Sequence, residues 1–202
     1  MKNKVRIAVL CSGGGTNFQS IVNASEAGMI PDGEVKLVIT DHKEAFVLKR
    51  AERVGIKSAI VDRKDIPDRA EREKQILKIL EENQIDFIVF AGFMTILSES
   101  FVKKYPGRII NIHPALIPSF CGKGFYGLHV HEAVLAAGVK VTGATVHYVN
   151  EVCDGGQIIA QKAVEVKEGD TPEILQKRVM REAEWVILPE AVEKVCKKLR
   201  GE

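Results

Sequence analysis

Residues 108–118 read Arg-Ile-Ile-Asn-Ile-His-Pro-Ala-Leu-Ile-Pro, and this stretch limits the possible folds more than any other. Ile109, Ile110 and Ile112 are β-branched and apolar, as a strand covered on both faces requires. Asn111 and His113 interrupt that run. Residues two apart on a strand share a face, so an amide and an imidazole point together into one space. Pro114 has no N–H for a ladder and ends the strand at once. A covered strand that stops in polar side chains is how open α/β sheets present ligand sites, and it is expected at the centre of the sheet. The plainer alternative is two satisfied core polar groups holding a loop.

Composition narrows the class. A chain of 202 residues fits one large α/β domain better than two. A net charge of +2 is too small to argue for nucleic acid, and no apolar segment approaches membrane-spanning length. The start lacks the apolar core and cleavage site of a signal peptide. Cys11, Cys121, Cys153 and Cys196 show no Cys-x-x-Cys spacing, so neither zinc nor a disulfide framework is expected, and a reducing cytoplasm fits.

The rest of the chain reads as alternating strands and helices. An apolar run over residues 5–10 leads into Ser12-Gly13-Gly14-Gly15-Thr16-Asn17 and then Phe18, Ile21 and Val22 at helical spacing. A glycine loop at a helix start leaves backbone N–H groups facing outward, where the helix dipole also favours an anion, so a phosphate is the natural guest; a tight turn is the plain alternative. The motif lacks both the third glycine of a dinucleotide site and the Gly-Lys-Ser/Thr of a P-loop. Strands follow at 35–40, 57–61 and 86–91, with Asp41 and Glu44 as a capping box opening a helix through Arg53, and charged residues 68–83 forming a helix. Residues 98–105 read as a short helix. The glycine-interrupted, aromatic residues 119–127 read as a flap. His129 and His131 are expected at the approach to a helix over 132–137, a weak metal signal without a third ligand. Residues 141–148 and 157–166 read as a hairpin with Asp154 in its Gly-Gly turn. Asp170 or Thr171 caps a long helix to about Pro189, followed by a final helical stretch. The expected architecture is α/β: an open, mostly parallel, doubly wound sheet with helices on both faces, then a C-terminal β-hairpin and long helix.

Together the glycine loop, Ala91-Gly92-Phe93-Met94, Asn111-Ile112-His113-Pro114-Ala115-Leu116-Ile117-Pro118 and Asp154-Gly155-Gly156-Gln157-Ile158 occur in the order seen in the folate-dependent glycinamide ribonucleotide formyltransferases, which the chain resembles nearly end to end. The Asn-x-His-Pro block with its downstream Asp-x-Gly marks the wider superfamily, and the glycine loop narrows it. The resemblance implies a Rossmann-like single domain over 1–202, with a nucleotide-binding half to about 105 and a folate-binding, catalytic half from about 106. It implies that Gly15, Thr16 and Asn17 hold the ribonucleotide phosphate, with Val179, Met180, Arg181 and Glu182 on the same substrate. It assigns Arg69, Met94, Thr95, Ile96, Leu97, Asn111, Asn150, Glu151, Val152, Cys153 and Asp154 to 10-formyltetrahydrofolate, and catalysis to Asn111, His113 and Asp154. No metal, nucleic acid or membrane partner is implied, and the chain is expected to be a monomer or homodimer. Thr95 stands where relatives carry an arginine, and the loop between Pro118 and His129 is longer, with 121–125 the approximate insertion.

Formyl transfer to an amine needs a donor for a developing oxyanion and a path for one proton. Asn111 and a protonated His113 are expected to donate, and Asp154 is expected to raise the His113 pKa and hold a relay water. Methionyl-tRNA formyltransferase and formyl-folate hydrolase resemble chains with an additional domain, so the ribonucleotide enzyme is the expected member. A non-catalytic dinucleotide-binding module is the alternative from another class; it would explain the glycine loop but leaves Asn111, His113 and Asp154 without a role.

Overall fold

The computed structural model describes residues 4–201. Its strands are β1 (Val5–Leu10), β2 (Gly33–Thr40), β3 (Lys57–Ile60), β4 (Phe87–Phe90), β5 (Ile109–His113), β6 (Val141–Tyr148) and β7 (Ile158–Glu165). They form one sheet in the order β3-β2-β1-β4-β5-β6-β7. The first five run parallel, and β6 and β7 are antiparallel additions. The doubly wound sheet with its appended hairpin is therefore present, but β5 is not central. It is the last parallel strand, and its other edge receives the hairpin.

Period-two alternation divides the core between the two faces of the sheet. Ile7 and Val9 of β1 pack with helices α1 (Thr16–Glu26), α2 (Val47–Arg53), α6 (Pro172–Val179) and α7 (Trp185–Arg200). Ala8 and Leu10 pack on the other face with Ile76 and Leu80 of α3 (Arg69–Glu82) and Phe101 of α4 (Glu99–Val102). Both faces of β4, and of β1 beyond Arg6, are dry, which is why those segments read as apolar runs.

Several helix boundaries differ from the sequence reading, each for a physical reason. Asp41 caps nothing: it is buried and accepts from the Thr95 hydroxyl at 2.7 Å, so α2 begins only at Val47 and has no side-chain cap. Helix α4 is a single turn capped by Ser98. Helix α5 (Leu128–Ala136) starts directly after Gly127, so His129 and His131 lie inside it rather than before it. Thr171 rather than Asp170 caps α6, because the Asp170 carboxylate is taken by Arg178. The helix then does not stop at Pro189. It widens into a π-turn over Met180–Glu184 and continues as α7 through Pro189 to Arg200. Proline withholds one backbone bond near the start of α7, and the buried stripe of Ile187, Leu188, Ala191, Val192 and Val195 outweighs that loss.

Candidate active site

A cleft of about 690 Å³ opens along the C-terminal ends of the parallel strands. Two polar clusters line it. The first surrounds Asp154. Gly156 makes its turn possible: a side chain there would meet the Tyr148 carbonyl oxygen at 1.7 Å. Asp154 itself takes a left-handed backbone, φ 54°, which aspartate tolerates better than most residues.

That backbone aims the carboxylate at the end of β5. Asp154 Oδ2 lies 3.6 Å from His113 Nδ1 and accepts from the Gly122 N–H at 2.8 Å, while Oδ1 lies 3.4 Å from Asn111 Nδ2. Asn111 and His113 do share a face, as their spacing requires. His147, which the sequence reading passed over, stands directly across from Asn111 in the antiparallel β5–β6 register. Its Nδ1 is 2.8 Å from the Tyr148 carbonyl and so carries the proton. Its Nε2 lies 3.2 Å from the Asn111 amide nitrogen and 3.5 Å from Asp154 Oδ1. The only signal for it was a polar side chain in a strand otherwise buried.

His113 Nε2 is 2.8 Å from the Phe120 carbonyl, which fixes a proton there and leaves the Nδ1 lone pair facing a carboxylate. Burial pushes the His113 pKa below its ordinary value, outweighing the Asp154 carboxylate and the Phe120 carbonyl, which both pull upward. The expected net rise is therefore overturned, although the contribution from Asp154 has the expected sign. Burial acts on Asp154 in the upward direction, but the His147 ring, the Gly122 N–H and the His113 ring together hold it below the usual carboxylate range.

The second cluster forms where α1 begins. Gly15 is left-handed at φ 71° and precedes the helix with no side-chain cap, so the first N–H groups of α1 have no side-chain partner. Asn17 reaches the cleft, and its Nδ2 donates to Glu184 Oε2 at 2.5 Å. Glu184 is buried, which pushes its pKa up to about 7 against the opposing Asn17 hydrogen bond. This corrects the expectation for Glu182. Gln176, Met180 and Glu184 recur every four residues and line the cleft, whereas Arg181 and Glu182 are exposed on the opposite side and Val179 is buried in the core. Nothing in the sequence announced the π-turn that sets this face.

Met94, Thr95, Ile96 and Leu97 follow β4 and line the cleft, as do Asn150, Glu151, Val152, Cys153 and Asp154 from the loop between β6 and β7. Arg69 does not. It is exposed and paired with Glu73 at 2.9 Å at the start of α3, outside the cleft lining. Gly15 and Thr16 are likewise outside the lining, although they cap and open α1. Among the described residues no group of His, Cys, Asp or Glu could hold a metal, and no helix is long and apolar enough to cross a membrane.

Comparison with known proteins gives this geometry a context. A family model described as formyl transferase matches residues 5–192. The chain is 45% identical over 194 residues to the trifunctional purine biosynthetic protein adenosine-3 of Gallus gallus, covering 96% of this chain and 19% of that protein. It is 39% identical over 192 residues to the chloroplastic phosphoribosylglycinamide formyltransferase of Arabidopsis thaliana, covering 95% of this chain and 65% of that protein. The chain thus spans under a fifth of the trifunctional relative. The crystal structure of glycinamide ribonucleotide transformylase 1 from Symbiobacterium toebii superposes with a TM-score of 0.89 at 38% identity, covering 96% of this chain and 89% of that one. A family match running from β1 into α7, and a solved fold that follows the chain almost throughout, agree that this chain belongs to the formyl transferase family.

Proposed function

We propose that this protein transfers the formyl group of 10-formyltetrahydrofolate to the amine of glycinamide ribonucleotide, giving formylglycinamide ribonucleotide and tetrahydrofolate in de novo purine biosynthesis. The observation that carries the proposal is the presence, in one cleft, of the Asn111–His113–Asp154 cluster and of Asn17, which follows a glycine loop at a helix start without a side-chain cap. The first suits acyl transfer and the second suits a phosphate.

In this reading the N–H groups of Gly15, Thr16 and Asn17 hold the phosphate, and Glu184 and Met180 face the rest of the ribonucleotide. The folate lies along residues 94–97 and 150–154, an apolar wall and a polar loop. Remote binding of the phosphate positions the amine, which lowers the entropic part of the barrier.

The catalytic cluster is short of one proton. With Nε2 tied to Phe120, His113 Nδ1 and Asp154 Oδ2 are two acceptors face to face at 3.6 Å. A proton leaving the attacking amine, directly or through one water, would be shared between them and then passed to N10 of the departing tetrahydrofolate as the tetrahedral intermediate collapses. The imidazolium formed there, together with Asn111 Nδ2, stabilises the oxyanion of the tetrahedral intermediate; a single such donor contributes roughly 2.7–4 kcal/mol in enzymes where it has been removed. Asn111 must release its 3.4 Å contact with Asp154 to do so, a long hydrogen bond and the easier of its two to give up. No covalent intermediate and no cysteine is required.

The protein is further proposed to act as a single domain, monomer or homodimer, in the cytoplasm, without nucleic acid. Mixing it with glycinamide ribonucleotide and 10-formyltetrahydrofolate tests the reaction: deformylated folate should appear only when the amine is present. Release without the amine would indicate a hydrolase, and no release would overturn the reading.

A further inference from the structure

His131 is the most completely buried titratable side chain in the cleft wall, with none of its surface exposed, and neither of its ring nitrogens has a hydrogen-bond partner in the protein. Leaving one buried polar nitrogen unsatisfied is destabilising, and His131 leaves two. A further orphan atom, Asn17 Oδ1, belongs to another residue that lines the same cleft. Helix α5, which carries His131, packs against α6, whose continuation carries Met180 and Glu184. His131 therefore belongs to the wall assigned above to the ribonucleotide, and it lies close enough to His113 for a charge on one ring to be felt by the other.

We propose that His131 is a positioning residue that accepts a hydrogen bond from the attacking amine of the ribonucleotide, orienting the amine lone pair toward the formyl carbon. The inference rests on the ribonucleotide reading of the cleft. Its chemistry follows from what a buried neutral imidazole offers. One nitrogen accepts from an amine N–H and the other donates to a cleft water, so both orphan positions are filled once substrate is bound. Burial, reinforced by the nearby His113 ring, depresses the His131 pKa to about 4, so His131 orients the amine without taking its proton, which goes to the His113–Asp154 edge.

The test compares His131→Phe, which keeps a ring of similar volume and removes both nitrogens, with His131→Gln, which keeps an acceptor and a donor. We expect His131→Phe to melt at or above the wild-type temperature, since it removes two unsatisfied polar atoms, while kcat falls about tenfold or more and the folate KM stays put. His131→Gln should recover much of that kcat. A purely structural role predicts the reverse order, with the ring-preserving variant the more active. In wild-type protein the His131 ring nitrogen resonances should shift on adding glycinamide ribonucleotide and not on adding 10-formyltetrahydrofolate. Near-normal kcat in His131→Phe, no advantage of glutamine over phenylalanine, or unmoved resonances with the ribonucleotide would each overturn the inference. The wild-type assay run alongside keeps the two readings separate: if wild type shows no amine-dependent transfer the proposed reaction fails, and if only the variants behave like wild type this inference fails alone.

Discussion

The two polar clusters of the cleft are finished to different degrees. Around Asp154 the polar groups satisfy one another: Asn111 with His147 and Asp154, His113 with the Phe120 carbonyl, and Asp154 with the Gly122 N–H. Around the glycine loop they do not. Asn17 Oδ1 has no partner and α1 has no side-chain cap, and elsewhere on the cleft wall both His131 nitrogens are unpartnered too. The contrast separates two tasks. A binding surface stays rigid and incomplete so that the ligand completes it, whereas a reacting centre can be closed on itself as long as its bonds are weak enough to exchange.

The largest effect should come from breaking the closed cluster. Asp154→Asn keeps the turn, since asparagine also tolerates a left-handed backbone, but removes the proton acceptor opposite His113. We expect kcat to fall by roughly 10² or more with little change in either KM. Near-normal kcat in steady-state assays would reduce Asp154 to a turn residue. The open cluster should respond in binding instead. Gly15→Val puts a side chain 2.5 Å from Val47 Cγ2 at a left-handed position, so it should raise the ribonucleotide KM far more than the folate KM, alongside a stability loss of about 1–2 kcal/mol. Equal losses for both substrates would erase the distinction between the clusters.

A third variant reads the cost of leaving the open cluster ready. The folded pKa of Glu184 is raised to about 7 from 4.5, so its contribution to stability is full below the unfolded value and is lost as pH climbs from about 4.5 to 7. Glu184→Gln should thus be more stable than wild type by roughly 3 kcal/mol at pH 8 and no different at pH 4, as measured by urea unfolding at both values. The smallest effect concerns the flap. If the closed cluster must open to react, saturating substrates should speed hydrogen exchange at the Gly122 amide, now held by Asp154 at 2.8 Å. Slower exchange would mean that the contact persists through turnover.

Most of this was legible where local pattern and tertiary role coincide. Apolar runs marked β1, β4 and β5 because parallel strands are buried on both faces, and the two-residue spacing of Asn111 and His113 fixed their common face. Local pattern failed where distant contacts decide. His147 matters because antiparallel pairing sets it opposite Asn111, and Asp41 leaves its expected cap because Thr95 reaches it from another strand end. The fate of Glu182 and Glu184 turned on a π-turn, for which sequence has no periodic signature. The His113 pKa was misjudged because a sequence displays a neighbouring carboxylate but not the depth of burial.

The π-turn has a consequence for how this protein tolerates changes in chain length. A turn closed by i to i+5 bonds holds one more residue than an α-turn, so it gears two stretches of helix that answer to different surroundings. Upstream, Gln176 and Met180 keep phase with the cleft; downstream, Leu188, Val192 and Val195 keep phase with the sheet. Removing a single exposed residue such as Arg181 would let ordinary helical bonding run straight through, and Glu184, then seven residues from Gln176, would keep its face to within about 20°. The segment thus admits two lengths, the π-turn absorbing the longer one while a carboxylate stays beside Asn17.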